Sequence, residues 1–321
     1  MEPSTPRSNR PRSPARGLAA RVGLALAWLI AVAATVAPGA AAAATGRPNI
    51  EVIDGGWGGG EPAAIGEVIA AVIDEFPLPA GRGTTPSIRV RHRFGGPLIT
   101  YDRDTDGWIV MYLSARDNRL YQYVYQFAHE YCHLLAHFDR KLQGGEIVRG
   151  HQWFEESLCE TASLYALARL AARWCAAAPG SPFREAAPQL AQYLRQLLAE
   201  PHRALAAGNS VAEWYARNRG ALQRDPYLRE LNELAAAQML PLFEKDPARW
   251  SALAYLHTPD SAPDSSFADT LEAWRAAAPP QTKSLVDEMR VLFGLQAASA
   301  ASAPAAPGPV AAMPRGPGCE R

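Results

Sequence analysis

Residues 120–138, LYQYVYQFAHEYCHLLAHF, decide the fold of this chain. Their apolar residues recur at helical spacing, which predicts one largely buried helix. Within it, His129 and His133 are four positions apart, so only about 40° separates them around the helix axis. The two imidazoles therefore lie on one face, one turn apart, where they can share a metal ion.

Glu130 lies beside this pair rather than in line with it. It is displaced by about 100° from His129, which is too far round to ligate beside both histidines. It is near enough to reach a water molecule in the open position of a bound metal. Metal-assisted hydrolysis needs this combination of two ligands on one face and a carboxylate next to the water.

The alternative interpretation is that these polar residues lie on a helix face without binding a metal. The flanking residues are all apolar: Phe127, Ala128, Leu134 and Leu135. Two histidines and a glutamate buried there without partners would cost several kcal/mol in desolvation, on the order of 2–7 for each polar group. We therefore favour the metal site over a helix face that binds no metal.

A catalytic zinc site needs a third protein ligand and one open position. One candidate is Glu156, in the stretch HQWFEESLCETAS at residues 151–163, where the next helix is predicted. The other candidate is Asp139, six residues after His133 in HEYCHLLAHFD.

These two motifs resemble the zincin metallopeptidases, specifically the gluzincin branch, over about residues 108–163. In that branch a second helix carries a glutamate ligand in a stretch like W-x-N-E-x-x-x-E/D, and WFEESLCE at residues 153–160 is similar to it. The resemblance implies that Glu156 is the third ligand and that Glu160 accepts the outer N–H of a ligating histidine. Glu155 stands where many relatives have asparagine, so it could compete with Glu156 for the metal.

The Asp139 alternative resembles the metzincin branch, with its pattern H-E-x-x-H-x-x-G-x-x-H/D. In that branch the glycine lets the chain bend sharply and present the third ligand. In this chain Ala136 occupies the position of the glycine. Alanine resists that bend. We therefore favour Glu156 over Asp139.

Around this pair of helices the chain predicts an α+β, zincin-like fold. A small N-terminal mixed sheet with helices precedes a mainly α-helical C-terminal part. Strands are predicted at residues 50–53, 87–93, 97–101 and 108–114. Helices are predicted at residues 61–76, 120–138, 152–178, 183–200, 210–219, 226–243, 247–256, 265–278 and 281–293. In zincins the strand in the place of residues 108–114 is an edge strand that pairs with an extended substrate; an ordinary sheet strand is the equal alternative.

Residues 1–44 resemble a secretory signal peptide. They contain five arginines against one glutamate, then an apolar run at residues 24–37 and a stretch of alanines. That run of 14 residues is shorter than the roughly 20 that a spanning helix needs, so we favour cleavage over an uncleaved membrane anchor. The catalytic region is then residues 45–180, the helical region residues 181–296, and the Ala/Pro-rich tail, predicted to be disordered, residues 297–321.

Composition excludes several classes of protein. Hydrophobic residues make up 48% and charged residues 20% of the chain, as in a globular protein rather than a disordered or multispan membrane protein. With 32 basic and 32 acidic residues, the chain has no basic excess to bind nucleic acid.

Cys132 and Cys159 lie on the two helices that carry the candidate ligands. An export compartment would allow a disulfide between them, but two buried thiols without a bond are the favoured interpretation.

The sequence therefore predicts an exported, secreted or periplasmic zinc metallopeptidase that acts on a peptide or protein substrate. His129, His133 and Glu156 would hold Zn²⁺, and Glu130 would act as general base. The alternative is a noncatalytic exported binding or scaffold protein with an inert or structural metal site. The residue that stabilises the oxyanion is not chosen; the candidates are Tyr215, Tyr227, Tyr255, His202 and His257.

Overall fold

A computed structural model describes residues 47–77, 86–137, 142–143, 146–147, 150–257 and 265–296. The predicted signal peptide at residues 1–44, the tail at residues 297–321 and Asp139 lie outside the described residues. Among the helices that are described, none has the length and apolar composition needed to cross a membrane.

A mixed sheet of four strands lies in the N-terminal part of the described chain, in the order β1-β2-β4-β3. Its strands are β1 (Ile50–Val52), β2 (Ile88–His92), β3 (Leu98–Arg103) and β4 (Ile109–Leu113). The first, second and fourth strands run parallel, and β3 runs antiparallel to β4. Alternation along β2 buries Ile88 and Val90, while Arg89 forms ion pairs with Glu51 and Asp104.

Of the two equal alternatives for residues 108–114, the structure agrees with the ordinary sheet strand and not with the edge strand. Strand β4 occupies the middle of residues 108–114, but it lies between β2 and β3 and bonds to both. Its backbone is therefore not available to a substrate, and the edge role falls to β3. Alternating apolar residues identify a strand but not its neighbours, so the sequence could not fix this order.

Three helices carry or support the proposed site. Helix α1 (Pro62–Ile73) buries an Ile/Val face and packs against α2 (Leu120–Leu135), which also contacts β3 and β4. Helix α3 (Gln152–Cys175) packs along α2. Between α2 and α3, two short strands pair as a hairpin, β5 (Leu142–Gln143) and β6 (Glu146–Ile147).

The C-terminal half is helical, as predicted, and its helices pack on α3 and in part on α2. Its α-helices are α4 (Pro182–Leu198), α5 (Val211–Arg224), α6 (Arg229–Glu244), α7 (Phe267–Ala277) and α8 (Lys283–Leu292). Both α4 and α6 pack on α3. The helix predicted at residues 247–256 is a 3₁₀ helix, Pro247–Tyr255. The α+β class with a small mixed sheet and mainly helical content is therefore confirmed.

Aromatic packing fixes the first turn of α3, which matters because the candidate ligand Glu156 follows it directly. Trp153 stacks on Tyr215 with ring centroids 5.7 Å apart. Phe154 meets Phe267 and Phe293 edge to face, and all five rings are buried. Aromatic pairs of this kind are worth about 0.5–1.5 kcal/mol each beyond their buried area, so this turn is held firmly.

Candidate metal centre

The site lies where α2 and α3 face each other. Helix α2 places His129 and His133 one turn apart, with ring centroids separated by 5.3 Å. From α3, Oε2 of Glu156 lies 3.4 Å from Nε2 of His129 and 3.7 Å from Nε2 of His133. The other oxygen, Oε1, accepts a hydrogen bond of 2.6 Å from Gln152. The structure thus brings together the three side chains that the sequence proposed as ligands.

The spacing of these three donor atoms fits a divalent metal ion. Zinc bound tetrahedrally at about 2.0–2.1 Å from nitrogen or oxygen holds its ligand atoms roughly 3.3 Å apart. The observed separations of 3.4 and 3.7 Å from Glu156 to the two histidines are close to that value. Two imidazoles and one carboxylate leave a fourth tetrahedral position for water or substrate.

Charge at the site favours a cation between these groups. Burial lowers the pKa of His133, but the carboxylates of Glu156 and Glu155 raise it to about 10. Burial raises the pKa of Glu156, but His133 and His129 lower it to about 2. The carboxylates therefore stabilise positive charge at the histidines, which is the charge that a metal ion would supply.

Glu130 lies next to the ligand histidines and the sheet edge. It is 4% exposed, and burial raises its pKa despite the opposing effect of His129 and His133. The backbone N–H of Ile99, in β3, lies near its carboxylate and partly offsets this rise in pKa. A carboxylate with a raised pKa is better matched to accepting a proton near neutral pH.

Glu155 orients His133 and does not compete for the metal, so that part of the sequence interpretation is wrong. Its Oε1 accepts a hydrogen bond of 2.6 Å from Nδ1 of His133, and its Oε2 accepts one of 2.7 Å from Nε2 of His257. With the proton of His133 on Nδ1, the lone pair on Nε2 faces Glu156.

The prediction that Glu160 orients a ligating histidine is also wrong. Its Oε2 accepts a hydrogen bond from the hydroxyl of Tyr125, and its Oε1 accepts one of 2.8 Å from Arg203. The contacts show that α2 and α3 run in opposite directions. Glu160, one turn after Glu156 on α3, therefore lies opposite Tyr125, which is one turn before His129 on α2.

Arg203 is the centre of a buried ion-pair network next to the site. Its side chain is 1% exposed and contacts Glu160, Glu200 and Glu233 at 2.8, 2.8 and 3.1 Å. Glu200, His202 and Glu233 also lie close enough together to hold an ion. The guanidinium of Arg203 pairs with both carboxylates and Arg229 adds a second positive charge at Glu233, so an ion-pair network explains this group better than a second metal.

We expect Arg203→Ala to destabilise the protein by about 3–5 kcal/mol, because it leaves the buried carboxylate of Glu160 without its counter-charge. Arg229→Ala is the matched control, since Arg229 binds the same Glu233 but its side chain is 75% exposed. We expect about 0–1 kcal/mol from the control. Denaturant unfolding measures both variants, and equal losses would contradict the assigned role of Arg203.

Two thiols border the candidate ligands. Cys132 and Cys159 are both free and fully buried, which confirms the favoured interpretation over a disulfide. Sγ of Cys159 lies within 4.8 Å of ligand atoms of His129 and His133, so Cys159 is a further candidate ligand that the sequence analysis did not weigh. Burial and a hydrogen bond with Cys132 raise the pKa of Cys159, which favours a neutral thiol. Glu156, which the two histidines hold in its ionised form, is therefore the better ligand.

Three of the residues proposed to stabilise the oxyanion make other contacts. His202 binds Glu233, Tyr215 packs in the aromatic cluster, and His257 binds Glu155. His137 lies beyond the end of α2 in a left-handed conformation, with φ 56°. No protein-family model matches the chain, and no curated protein matches it significantly.

Proposed function

We propose that this chain is an exported zinc-dependent metallopeptidase of gluzincin type. The observation that carries the proposal is that Oε2 of Glu156 lies 3.4 Å from Nε2 of His129 and 3.7 Å from Nε2 of His133, which is close to the separation of two ligand atoms on tetrahedral zinc. Two imidazoles with one carboxylate form a donor set that suits zinc and leaves a coordination position open.

Each residue then has a defined task. When bound, zinc lowers the pKa of a water molecule and polarises the scissile carbonyl. Glu130 accepts the proton of the attacking water at its carboxylate and can pass it to the leaving amine. Glu155 fixes the ring of His133, and Gln152 holds the outer oxygen of Glu156.

The edge strand β3 suggests how a peptide substrate would lie. An extended peptide can add to an exposed sheet edge through backbone hydrogen bonds. Strand β3 lies at one edge of the sheet and its Ile99 lies near Glu130, so a peptide paired with β3 would lie close to the proposed general base. Export is supported by the basic, apolar and alanine-rich order of residues 1–44.

Metal analysis followed by cleavage of a peptide library tests the proposal. We expect close to one zinc per purified chain, cleavage that a chelator abolishes, and recovery when zinc is added back. A chain without metal, or cleavage that is indifferent to the chelator, would contradict it.

A second candidate is a noncatalytic exported binding or scaffold protein with a structural metal site. The thiol of Cys159 favours this candidate, because a fourth protein ligand would close the coordination sphere as in structural zinc sites. Stoichiometric zinc with no turnover of any library peptide is the result that this candidate predicts.

A further inference from the structure

The geometry points to His257 as a positioning residue for the metal centre, which holds Glu155 and through it the ring of His133. This inference rests on the proposed metal site. His257 comes from the helical C-terminal half, 102 residues beyond Glu155 in the chain.

Three side chains form a continuous hydrogen-bonded series. Nδ1 of His133 lies 2.6 Å from Oε1 of Glu155, and Nε2 of His257 lies 2.7 Å from Oε2 of the same carboxylate. An ionised carboxylate only accepts hydrogen bonds, so both imidazoles donate. Hydrogen bonds to a charged acceptor are the stronger kind, so the series fixes the orientation of each ring.

Glu155 depends on this second donor because it is only 1% exposed. A buried carboxylate is costly unless its oxygens are hydrogen-bonded. Without His257, Oε2 would lose the hydrogen bond of 2.7 Å that helps to hold the carboxylate in place. The carboxylate could then rotate away from Nδ1 of His133 or move towards the metal beside Glu156.

The backbone that carries His257 is well anchored. His257 follows the 3₁₀ helix Pro247–Tyr255, in which Trp250 is buried. The ring of Trp250 stacks on Phe243 with centroids 3.9 Å apart and meets Phe76 edge to face. The C-terminal half therefore presents His257 from a fixed support, as a positioning residue requires.

Zinc affinity, measured by competition with a chromophoric chelator, tests the inference. Glu155→Leu should weaken zinc binding about 10–100-fold, the usual effect of losing an outer partner of a ligand. His257→Leu should weaken it by several-fold, whereas His257→Gln, whose amide still reaches Oε2, should bind zinc nearly as tightly as the unchanged protein. His202→Leu is the matched control, because it breaks another short His–Glu pair in the same half, and it should leave zinc affinity unchanged.

A double variant distinguishes positioning from general loss of packing. If His257 acts through Glu155, adding His257→Leu to Glu155→Leu should weaken zinc binding no further, since coupled residues are not additive. Additive losses, or unchanged zinc affinity in His257→Leu, would overturn the inference. If His257→Leu does not fold, His257→Asn replaces it, because its shorter amide does not reach Oε2.

The two proposals fail in different ways. An unchanged protein that binds no zinc would overturn the metal site and the proposed function with it. Tight zinc binding in the unchanged protein together with unchanged affinity in the His257 variants would overturn only the role of His257.

Discussion

Replacing Glu130 by glutamine is expected to abolish peptide hydrolysis while zinc remains near one per chain. Glutamine has nearly the same shape as glutamate, but it cannot accept a proton from water. Losing a general base typically costs about 10²–10⁴ in rate. Because the three proposed ligands are untouched, elemental analysis of the variant should match that of the unchanged protein.

The exposed Glu67 of α1 offers a matched control for this experiment. Glu67→Gln makes the same chemical change on the surface and should leave turnover and zinc content unaltered. Undiminished hydrolysis by Glu130→Gln would refute its role as base. Loss of zinc from Glu130→Gln would instead mean that Glu130 helps to hold the metal.

Helical spacing alone predicted which side chains of α2 would act together. The positions of His129 and His133 on one face, with Glu130 beside them, follow from 100° per residue and agree with the structure. Glu156 required the resemblance between its surroundings and the second gluzincin motif, because spacing within one helix says nothing about a neighbouring helix.

The relation between α2 and α3 is where sequence reasoning failed. Which carboxylate orients a histidine depends on the direction and register of the two helices, and neither is written in a local motif. The antiparallel pairing places Tyr125 at Glu160 and His133 at Glu155, so the contact with a candidate ligand histidine that was predicted for Glu160 is made by Glu155. The same limit applies to the sheet, where each strand was predicted but β4 proved to be internal.

His257 gave no signal in the sequence beyond being one of several titratable residues in the C-terminal half. Its role depends on a tertiary contact that joins residues 102 positions apart. Helical periodicity predicts which face of a segment is buried, but it does not predict which distant segment supplies the last hydrogen bond of a buried carboxylate. This is why the fold class could be predicted more fully than the surroundings of the site.

Three variants decide the identity of the third ligand. Glu156→Ala is expected to lose zinc on dialysis, with a fall in affinity larger than the roughly 10–100-fold that losing an outer partner costs. Cys159→Ala and Asp139→Ala are expected to keep close to one zinc per chain. Elemental analysis after dialysis, with zinc affinity and hydrolysis measured in parallel, checks all three.

The expected difference in zinc affinity between these variants follows from charge and distance. Glu156 is held in its ionised form by the two histidines, and its Oε2 lies at tetrahedral spacing from both Nε2 atoms. Cys159 would first have to lose its proton, which burial opposes. Its thiol is also hydrogen-bonded to the thiol of Cys132. If Cys159→Ala released the metal and Glu156→Ala retained it, the third ligand would be sulfur. Glu156 would then be free to act as a second base beside Glu130, and the site would no longer match the gluzincin arrangement.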